Sequence, residues 1–200
     1  MINKIVIFED ADGGTRLLEK RDVIESIRLA INEIWGSGLN FPQIFVYFYN
    51  TLYELNKDKQ FDQNTPVLMT EELKDMDLRQ FYKREFSKQF EDAKENKNNV
   101  IFLVDYIILF DSLEDDNFSK EVVEEIIKAN NNSEVSNYYC VLYTSQRWKD
   151  MKTFVKQKGH DHSIDNIRFL SYAEGDSLGT QYDFEDIFSS LDEENNKAVD

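Results

Sequence analysis

The sequence predicts a single α/β domain with a mainly parallel, five-stranded sheet, helices on both faces of that sheet, and a helical insertion between the second and third strands. Five short apolar runs alternate with amphipathic segments whose apolar residues recur every three or four positions. Continuous apolar runs are typical of strands covered on both faces, and their alternation with helices favours a parallel sheet. The length of 200 residues fits one such domain.

The five predicted strands are rich in β-branched and aromatic residues, as strands usually are. They span Lys4–Phe8, Pro42–Tyr49, Ile101–Phe110, Tyr138–Thr144 and Asn166–Tyr172. Pro42 begins its strand, where a missing N–H does the least harm to the pairing. In the third run a single aspartate, Asp105, interrupts the apolar residues and therefore requires an explanation, because an ionised carboxylate is costly inside a buried strand.

Amphipathic helices are predicted between these strands. The first covers residues 15–35 and ends at a pair of glycines, and a long one covers residues 71–94, where an aromatic or leucine recurs every four positions. The long helix either forms an extra layer on the sheet or projects as an arm for a partner. Further helices are predicted at 119–132, at 146–159 and around 184–191. The domain then spans residues 1–192, with the insertion at about 51–98 and a disordered acidic tail at 193–200.

Composition restricts the function classes. The chain carries 39 acidic and 23 basic residues, a formal charge of −16, so we expect no direct binding to a nucleic-acid backbone. No apolar stretch is long enough to span a membrane, and the single cysteine, Cys140, rules out an internal disulfide framework. We therefore expect a cytoplasmic protein. No nucleophile–base pattern and no glycine-rich phosphate loop is present, so we do not expect an enzyme.

Acidic and hydroxyl side chains follow three of the predicted strands. Glu9 and Asp10 come after the first strand, and Thr144 ends the fourth. Asp105 joins them if the third strand ends near Val104. The carboxyl ends of parallel strands meet at one edge of the sheet, where ligands of open α/β folds bind. Clustered carboxylates repel one another and are commonly held together by a hard cation. This pattern predicts Mg²⁺ at Glu9, Asp10 and Asp105, while the alternative for Asp105 is a turn or capping carboxylate.

These residues resemble the receiver domain of bacterial response regulators, which has a flavodoxin-like fold. The resemblance rests on the acidic pair in "IVIFED", the aspartate of "IFLVD" and the hydroxyl of "VLYTS". It implies that Glu9 and Asp10 bind Mg²⁺, that Asp105 accepts a phosphoryl group, and that Thr144 is the switch hydroxyl. The chain departs from the family at the end of the fifth strand, where Ser171 stands in place of a lysine that pairs with the phosphoryl group.

The resemblance and its departures together predict a degenerate receiver domain: a non-enzymatic regulatory module that binds a protein partner. Arg147 and Trp148, just after the fourth strand, are the predicted partner contacts, although Trp148 could instead belong to the core. Two alternatives stay open. One is an acidic inhibitor that imitates DNA and acts on a nucleic-acid enzyme. The other is an active, Mg²⁺-dependent receiver in which Asp105 is phosphorylated.

Overall fold

A computed structural model shows how most of the chain folds. The residues it describes are 1–10, 17–36, 41–49, 67–69, 78–105, 108–110, 113–115, 117–131, 137–144, 153, 166–171 and 181–197. Its strands are β1 (Lys4–Asp10), β2 (Gln43–Tyr49), β3 (Val67–Met69), β4 (Val100–Asp105), β5 (Ile108–Phe110), β6 (Leu113–Asp115), β7 (Tyr138–Thr144) and β8 (Ile167–Ser171). Its helices are α1 (Leu17–Trp35), α2 (Leu78–Asn96), α3 (Asn117–Asn130) and the C-terminal helix α4 (Gln181–Lys197).

The predicted fold class is confirmed. Within the described part of the chain, the main sheet has the strand order β3-β2-β1-β4-β7-β8, and every pairing in it is parallel. Without the short edge strand β3, the five predicted strands have the flavodoxin-like order 2-1-3-4-5. The described residues of the insertion between the second and third predicted strands form the short strand β3 and the helix α2.

Helices cover both faces of the sheet, which explains the continuous apolar strands. The aromatic residues of α2 and the valines and isoleucines of α3 pack on one face, against side chains such as Phe8 and Phe102. Helices α1 and α4 pack on the other face, against side chains such as Ile7 and Leu103. Successive residues of a strand therefore enter different cores, as the two-residue period of a strand requires. Helix α2 is a layer on the sheet, which decides between the two placements that the sequence left open.

The third predicted strand is shorter than its apolar run. Strand β4 ends at Asp105, and residues 108–110 form β5, which pairs antiparallel with β6 outside the main sheet. The prediction of one strand over 101–110 is therefore wrong in its second half, because an apolar run by itself does not mark where a strand leaves the sheet. As a consequence, Asp105 ends its strand instead of interrupting it.

The C-terminal helix is longer than its apolar pattern indicated. Helix α4 ends at Lys197 and so includes residues 193–197 of the segment expected as tail. One ion pair and one buried side chain hold this extension on the domain. Arg168 donates to both carboxylate oxygens of Glu194, at 2.6 and 2.9 Å, and Asn195 is 1% exposed. Of the helix predicted at 146–159, only Thr153 lies within the described residues, and it is helical.

Asparagines link the starts of neighbouring strands at the amino edge of the sheet. Asn3, Asn99 and Asn137 each immediately precede a strand. The side-chain oxygen of Asn3 accepts the N–H of Asn99, and that of Asn99 accepts the N–H of Asn137, both at 2.9 Å. These bonds give partners to backbone groups that precede the regular strand pairing, and they tie β1, β4 and β7 together.

Candidate functional site

The carboxyl edge of the sheet brings Glu9 and Asp105 to the same level on adjacent strands. Phe8 pairs with Val104 between β1 and β4, so the next residue of each strand is Glu9 and Asp105. Asp105 in turn pairs with Tyr143 of β7. The alternation along each strand places these three residues on the face that α1 and α4 cover. The sequence prediction that the acids of the first and third strands lie at one edge is consistent with this register.

The Glu9 side chain is buried and hydrogen-bonded. Glu9 is 1% exposed, and its Oε2 accepts a hydrogen bond of 2.7 Å from the hydroxyl of Tyr143. The same hydroxyl lies 3.2 Å from the backbone oxygen of Phe8. A phenol that donates to a carboxylate forms a charge-assisted bond, which is stronger than a bond between neutral groups. Glu9 is thus bonded across β4 to a residue of β7 and does not extend into solvent.

A second tyrosine fixes the same residue from the opposite face. Tyr82 of α2 is completely buried, and its hydroxyl donates to the backbone oxygen of Glu9 and lies 3.3 Å from that of Tyr47. These carbonyl oxygens belong to β1 and β2 near the point where the two strands end. Glu9 is therefore held by its carboxylate on the α1/α4 face and by its carbonyl on the α2/α3 face.

Asp105 is also buried, at 8% exposure, at the last residue of β4. Its position next to Glu9 places two acidic side chains side by side on one face of the sheet. Such a pair is stable only where hydrogen bonds, a shared proton or a cation offset the repulsion. At 8% exposure, Asp105 presents little accessible surface at the carboxyl edge.

The described side chains include two of the three predicted magnesium ligands, Glu9 and Asp105. Among the residues that the structure describes, no three acidic, histidine or cysteine side chains come together in a way that could hold a metal ion. Mg²⁺ prefers carboxylates that are open enough for it to keep several of its waters, whereas Glu9 is buried and bonded to Tyr143. Asp10 ends β1 at the same edge, but its side chain lies outside the described residues. The three-residue Mg²⁺ site stays a prediction.

The other predicted site residues are placed only in part. Thr144 ends β7 at the carboxyl edge, as predicted, and its side chain lies outside the described residues. Arg147 and Trp148, the predicted partner contacts, lie wholly outside them. The roles assigned to these three residues therefore stay predictions.

Sequence reasoning missed both tyrosines at this edge. Tyr143 could have been found, because it shares its strand face with Tyr139 and Val141 and directly precedes the hydroxyl residue at the strand end. Tyr82 lies on the apolar face of the long predicted helix, and that pattern predicts only a packing role for it. Its contact with the end of β1 joins residues 73 positions apart, and no local pattern signals such a contact.

Comparisons of the chain with models of protein families, with curated proteins and with solved structures each find no match. None of the described helices combines the length and the apolar character needed to cross a lipid bilayer. The class that the fold and the carboxyl edge define is thus an α/β domain of flavodoxin-like strand order with two buried acidic residues, Glu9 and Asp105, at the carboxyl edge of its sheet.

Proposed function

We propose that this protein is a non-enzymatic regulatory module: a degenerate receiver-like domain that acts by binding a protein partner. The proposal combines the strand order, which receivers share, with the state of the two acids at the carboxyl edge. An active receiver uses its acids as an open site for Mg²⁺ and a phosphoryl donor. Here we assign to the same positions a structural role in fixing the ends of the central strands.

The observation that carries the proposal is the buried hydrogen bond between Glu9 and Tyr143. A carboxylate that must bind Mg²⁺ has to exchange its protein partners for the ion and the waters the ion retains. Glu9 at 1% exposure would have to give up the 2.7 Å bond and move toward solvent. Breaking a hydrogen bond to a buried charged group costs about 1.5–3 kcal/mol. Asp105, at 8% exposure, is also poorly placed to attack a phosphoryl donor.

The loss of the lysine expected near Ser171 supports the same proposal, because a phosphorylated Asp105 would lack its usual cationic partner. A domain that keeps the receiver architecture without this chemistry retains its surfaces, and surfaces are what a protein partner recognises. We therefore propose partner binding as the activity, with Mg²⁺ at Glu9, Asp10 and Asp105 as the alternative that the following experiment tests.

The experiment measures the thermal unfolding midpoint during a Mg²⁺ titration, with potassium chloride matching the ionic strength. It uses the wild type, Glu9→Gln, Asp105→Asn and the control Glu121→Gln, which neutralises an exposed acid on α3. Each protein is then incubated with Mg²⁺ and a small acyl phosphate, and its intact mass is recorded. We expect the same small salt effect in all four proteins and no added phosphoryl group. A Mg²⁺-dependent rise confined to the wild type and Glu121→Gln, or a phosphoryl group on Asp105, would favour the active receiver.

A second candidate function, an acidic inhibitor that imitates DNA, is favoured by the distribution of charge. Helices α2 and α3 carry five and two basic residues against four and three acidic ones, so their layer is balanced. Helix α4 carries six acidic residues and one lysine. The acidic charge of the described helices is therefore concentrated on α4, which would repel nucleic acid and attract a basic protein surface.

Salt and competition distinguish the two candidates. A partner recovered from cells on the immobilised protein is eluted with rising salt and, separately, with a DNA duplex. We compare a variant of α4 (Glu185→Gln, Asp186→Asn, Glu193→Gln) with a matched variant of α3 (Glu121→Gln, Glu124→Gln, Glu125→Gln). Release by moderate salt and by DNA, with loss of binding only in the α4 variant, supports the DNA mimic. A packed interface of the regulatory module resists both treatments.

A further inference from the structure

The first half of helix α2 presents positive charge on the surface of a chain whose formal charge is −16. Residues 78–88 contain one acid and four bases, which we call the basic face: Arg79, Lys83, Arg84 and Lys88. The acid, Glu85, has a side chain that is 9% exposed and lies 3.3 Å from the buried hydroxyl of Tyr47. The side chains of Arg84 and Lys88, by contrast, are 50% and 69% exposed. The charge that this half of the helix shows to solvent is therefore mainly positive.

Contacts within the domain order two side chains of the basic face. The guanidinium group of Arg84 lies 5.1 Å from the ring centroid of Phe81 and 3.0 Å from a carboxylate oxygen of Glu85. Lys83 donates to Glu121 of α3 at 2.7 Å, in a pair that is open to water on both sides. Such exposed pairs contribute little energy, so they compete only weakly with a new anionic partner. A side chain that is already ordered also loses little freedom when it binds.

Helix α4 carries the opposite charge. Six of its residues are acidic and one is a lysine. Asp186 and Glu193 are exposed, and their spacing of seven residues places them on one side of the helix. The basic face begins in the first turn of α2, at the positive end of the helix dipole, and the acids of α4 continue into its last turn, at the negative end. The two helices are thus complementary in both side-chain charge and dipole.

The two complementary surfaces lie on opposite sides of one molecule. Helix α2 packs on the sheet face that holds Phe8 and Phe102, and α4 packs on the face that holds Ile7 and Leu103. They can therefore meet only between copies, in a contact that uses a different surface of each copy. Two copies cannot form both contacts with each other, because the surfaces face opposite ways. The contact consequently repeats, either in an open chain of copies or in a ring.

We infer that the basic face of α2 binds the acidic helix α4 of a second copy of this chain, in a head-to-tail contact held mainly by charge. Charge complementarity selects this occupant, because α4 has the largest excess of acids among the described helices. Repulsion between two chains of charge −16 does not prevent the contact, since exposed charges more than about 8 Å apart are largely screened at physiological salt. The inference goes beyond the proposed function, which requires no second copy.

Sedimentation in the analytical ultracentrifuge tests the contact. The purified chain is measured at concentrations up to about 500 µM, in salt of about 0.1 M and about 0.5 M. Two variants each neutralise two exposed charges: Arg84→Gln with Lys88→Gln on α2, and Asp186→Asn with Glu193→Gln on α4. Two controls make the same changes of charge at exposed positions elsewhere: Lys97→Gln with Lys128→Gln, and Glu33→Gln with Glu124→Gln.

We expect the average mass of the wild type to rise with concentration, without a plateau at two chains, and to fall toward one chain at the higher salt. The α2 variant and the α4 variant should each associate on the order of tenfold more weakly, and both controls should behave like the wild type. An equimolar mixture of the two variants should stop at the mass of two chains. The intact α2 of one variant then binds the intact α4 of the other, and the altered surfaces close both ends.

The inference is wrong if the wild type keeps the mass of one chain at every concentration, which would leave the basic face to an acidic segment of another protein. It is equally wrong if association stops at two chains in the wild type, resists salt, persists in either variant, or is not restored in their mixture. Circular dichroism checks that each variant is folded. Should the α2 variant fail to fold, the single substitution Lys88→Glu replaces it, because that side chain is 69% exposed. No other protein is added, so the result is independent of the proposed function.

Discussion

A buried lysine provides the sharpest test of how the insertion helix is held on the sheet. Lys4 begins β1, and its side chain is 2% exposed. Its ammonium group pairs with Asp92, donates to Oε1 of Gln89 at 3.0 Å, and lies 5.1 Å from the ring centroid of Phe45. Gln89 continues the network by donating to the Tyr47 hydroxyl at 2.9 Å. A lysine is almost never buried unless it is paired in this way.

The substitution Lys4→Met removes the charge and keeps the length of the side chain. The oxygen of Gln89, which is 4% exposed, would lose its donor, and an unsatisfied buried acceptor costs about 1–3 kcal/mol. The pair with Asp92 contributes at most about 1 kcal/mol, because that side chain is 48% exposed and water replaces the lysine. Relief from burying the ammonium group offsets part of this loss, because removing an ion from water is costly. The net expectation is a loss of up to about 3 kcal/mol in the free energy of unfolding.

Urea denaturation followed by circular dichroism measures this loss. The control is Lys88→Met, which removes a lysine that is 69% exposed and 4.0 Å from Glu85 on the same helix. The control should change the free energy of unfolding by no more than about 0.5 kcal/mol. The reasoning is refuted if Lys4→Met stabilises the protein, since burial of the ammonium group would then cost more than its contacts contribute. Equal losses in Lys4→Met and Lys88→Met would show that the position of the lysine does not matter.

Two further predictions concern the amino edge and alkaline pH. Asn99→Ala should lower the free energy of unfolding by about 1–2 kcal/mol, because its side chain bonds to Asn137 and to the backbone of Met1, whereas the exposed control Asn96→Ala should change it by less than about 0.5 kcal/mol. Urea denaturation midpoints measure the stability of both variants. Equal losses would show that the asparagine bonds at the amino edge do not stabilise the protein. Burial raises the pKa of Tyr139 to about 12 from its ordinary 10.0. The unfolded chain therefore releases the phenol proton at a lower pH than the folded protein does, and the free energy of unfolding falls as the pH rises from 10.0 to about 12. Tyr139→Phe should show a shallower decline over that range, and an identical decline would refute the assignment.

The candidate site was predicted in its backbone placement but not in its chemistry. The order of strands and helices was enough to place Glu9 and Asp105 at one edge, because parallel strands joined by helices all end on the same side. The same pattern gave no information about burial. Whether a carboxylate at a strand end faces solvent or a helix depends on the helices that pack over that edge, and these are distant in sequence.

The buried polar network around Lys4, on the other face of the sheet, also shows that local sequence patterns do not predict burial. In the sequence, Lys4 stands just before an apolar run and reads as the polar boundary of a strand. Its partners, Gln89 and Asp92, lie 85 and 88 positions away, and on a helix whose pattern predicted only an apolar face. Burial of a lysine becomes acceptable only when a distant element supplies acceptors in the right geometry.

The sequence by itself determined the α/β class, the five central strands and the edge at which the acidic residues lie. These features follow from the periodicity of apolar residues, which depends only on residues close together in the sequence. The tertiary structure alone decided that helix α2 covers the sheet, that β4 ends at Asp105, and that Glu9 is bonded to Tyr143. These features depend on contacts between residues far apart in the chain, and such contacts form only when the layers pack together.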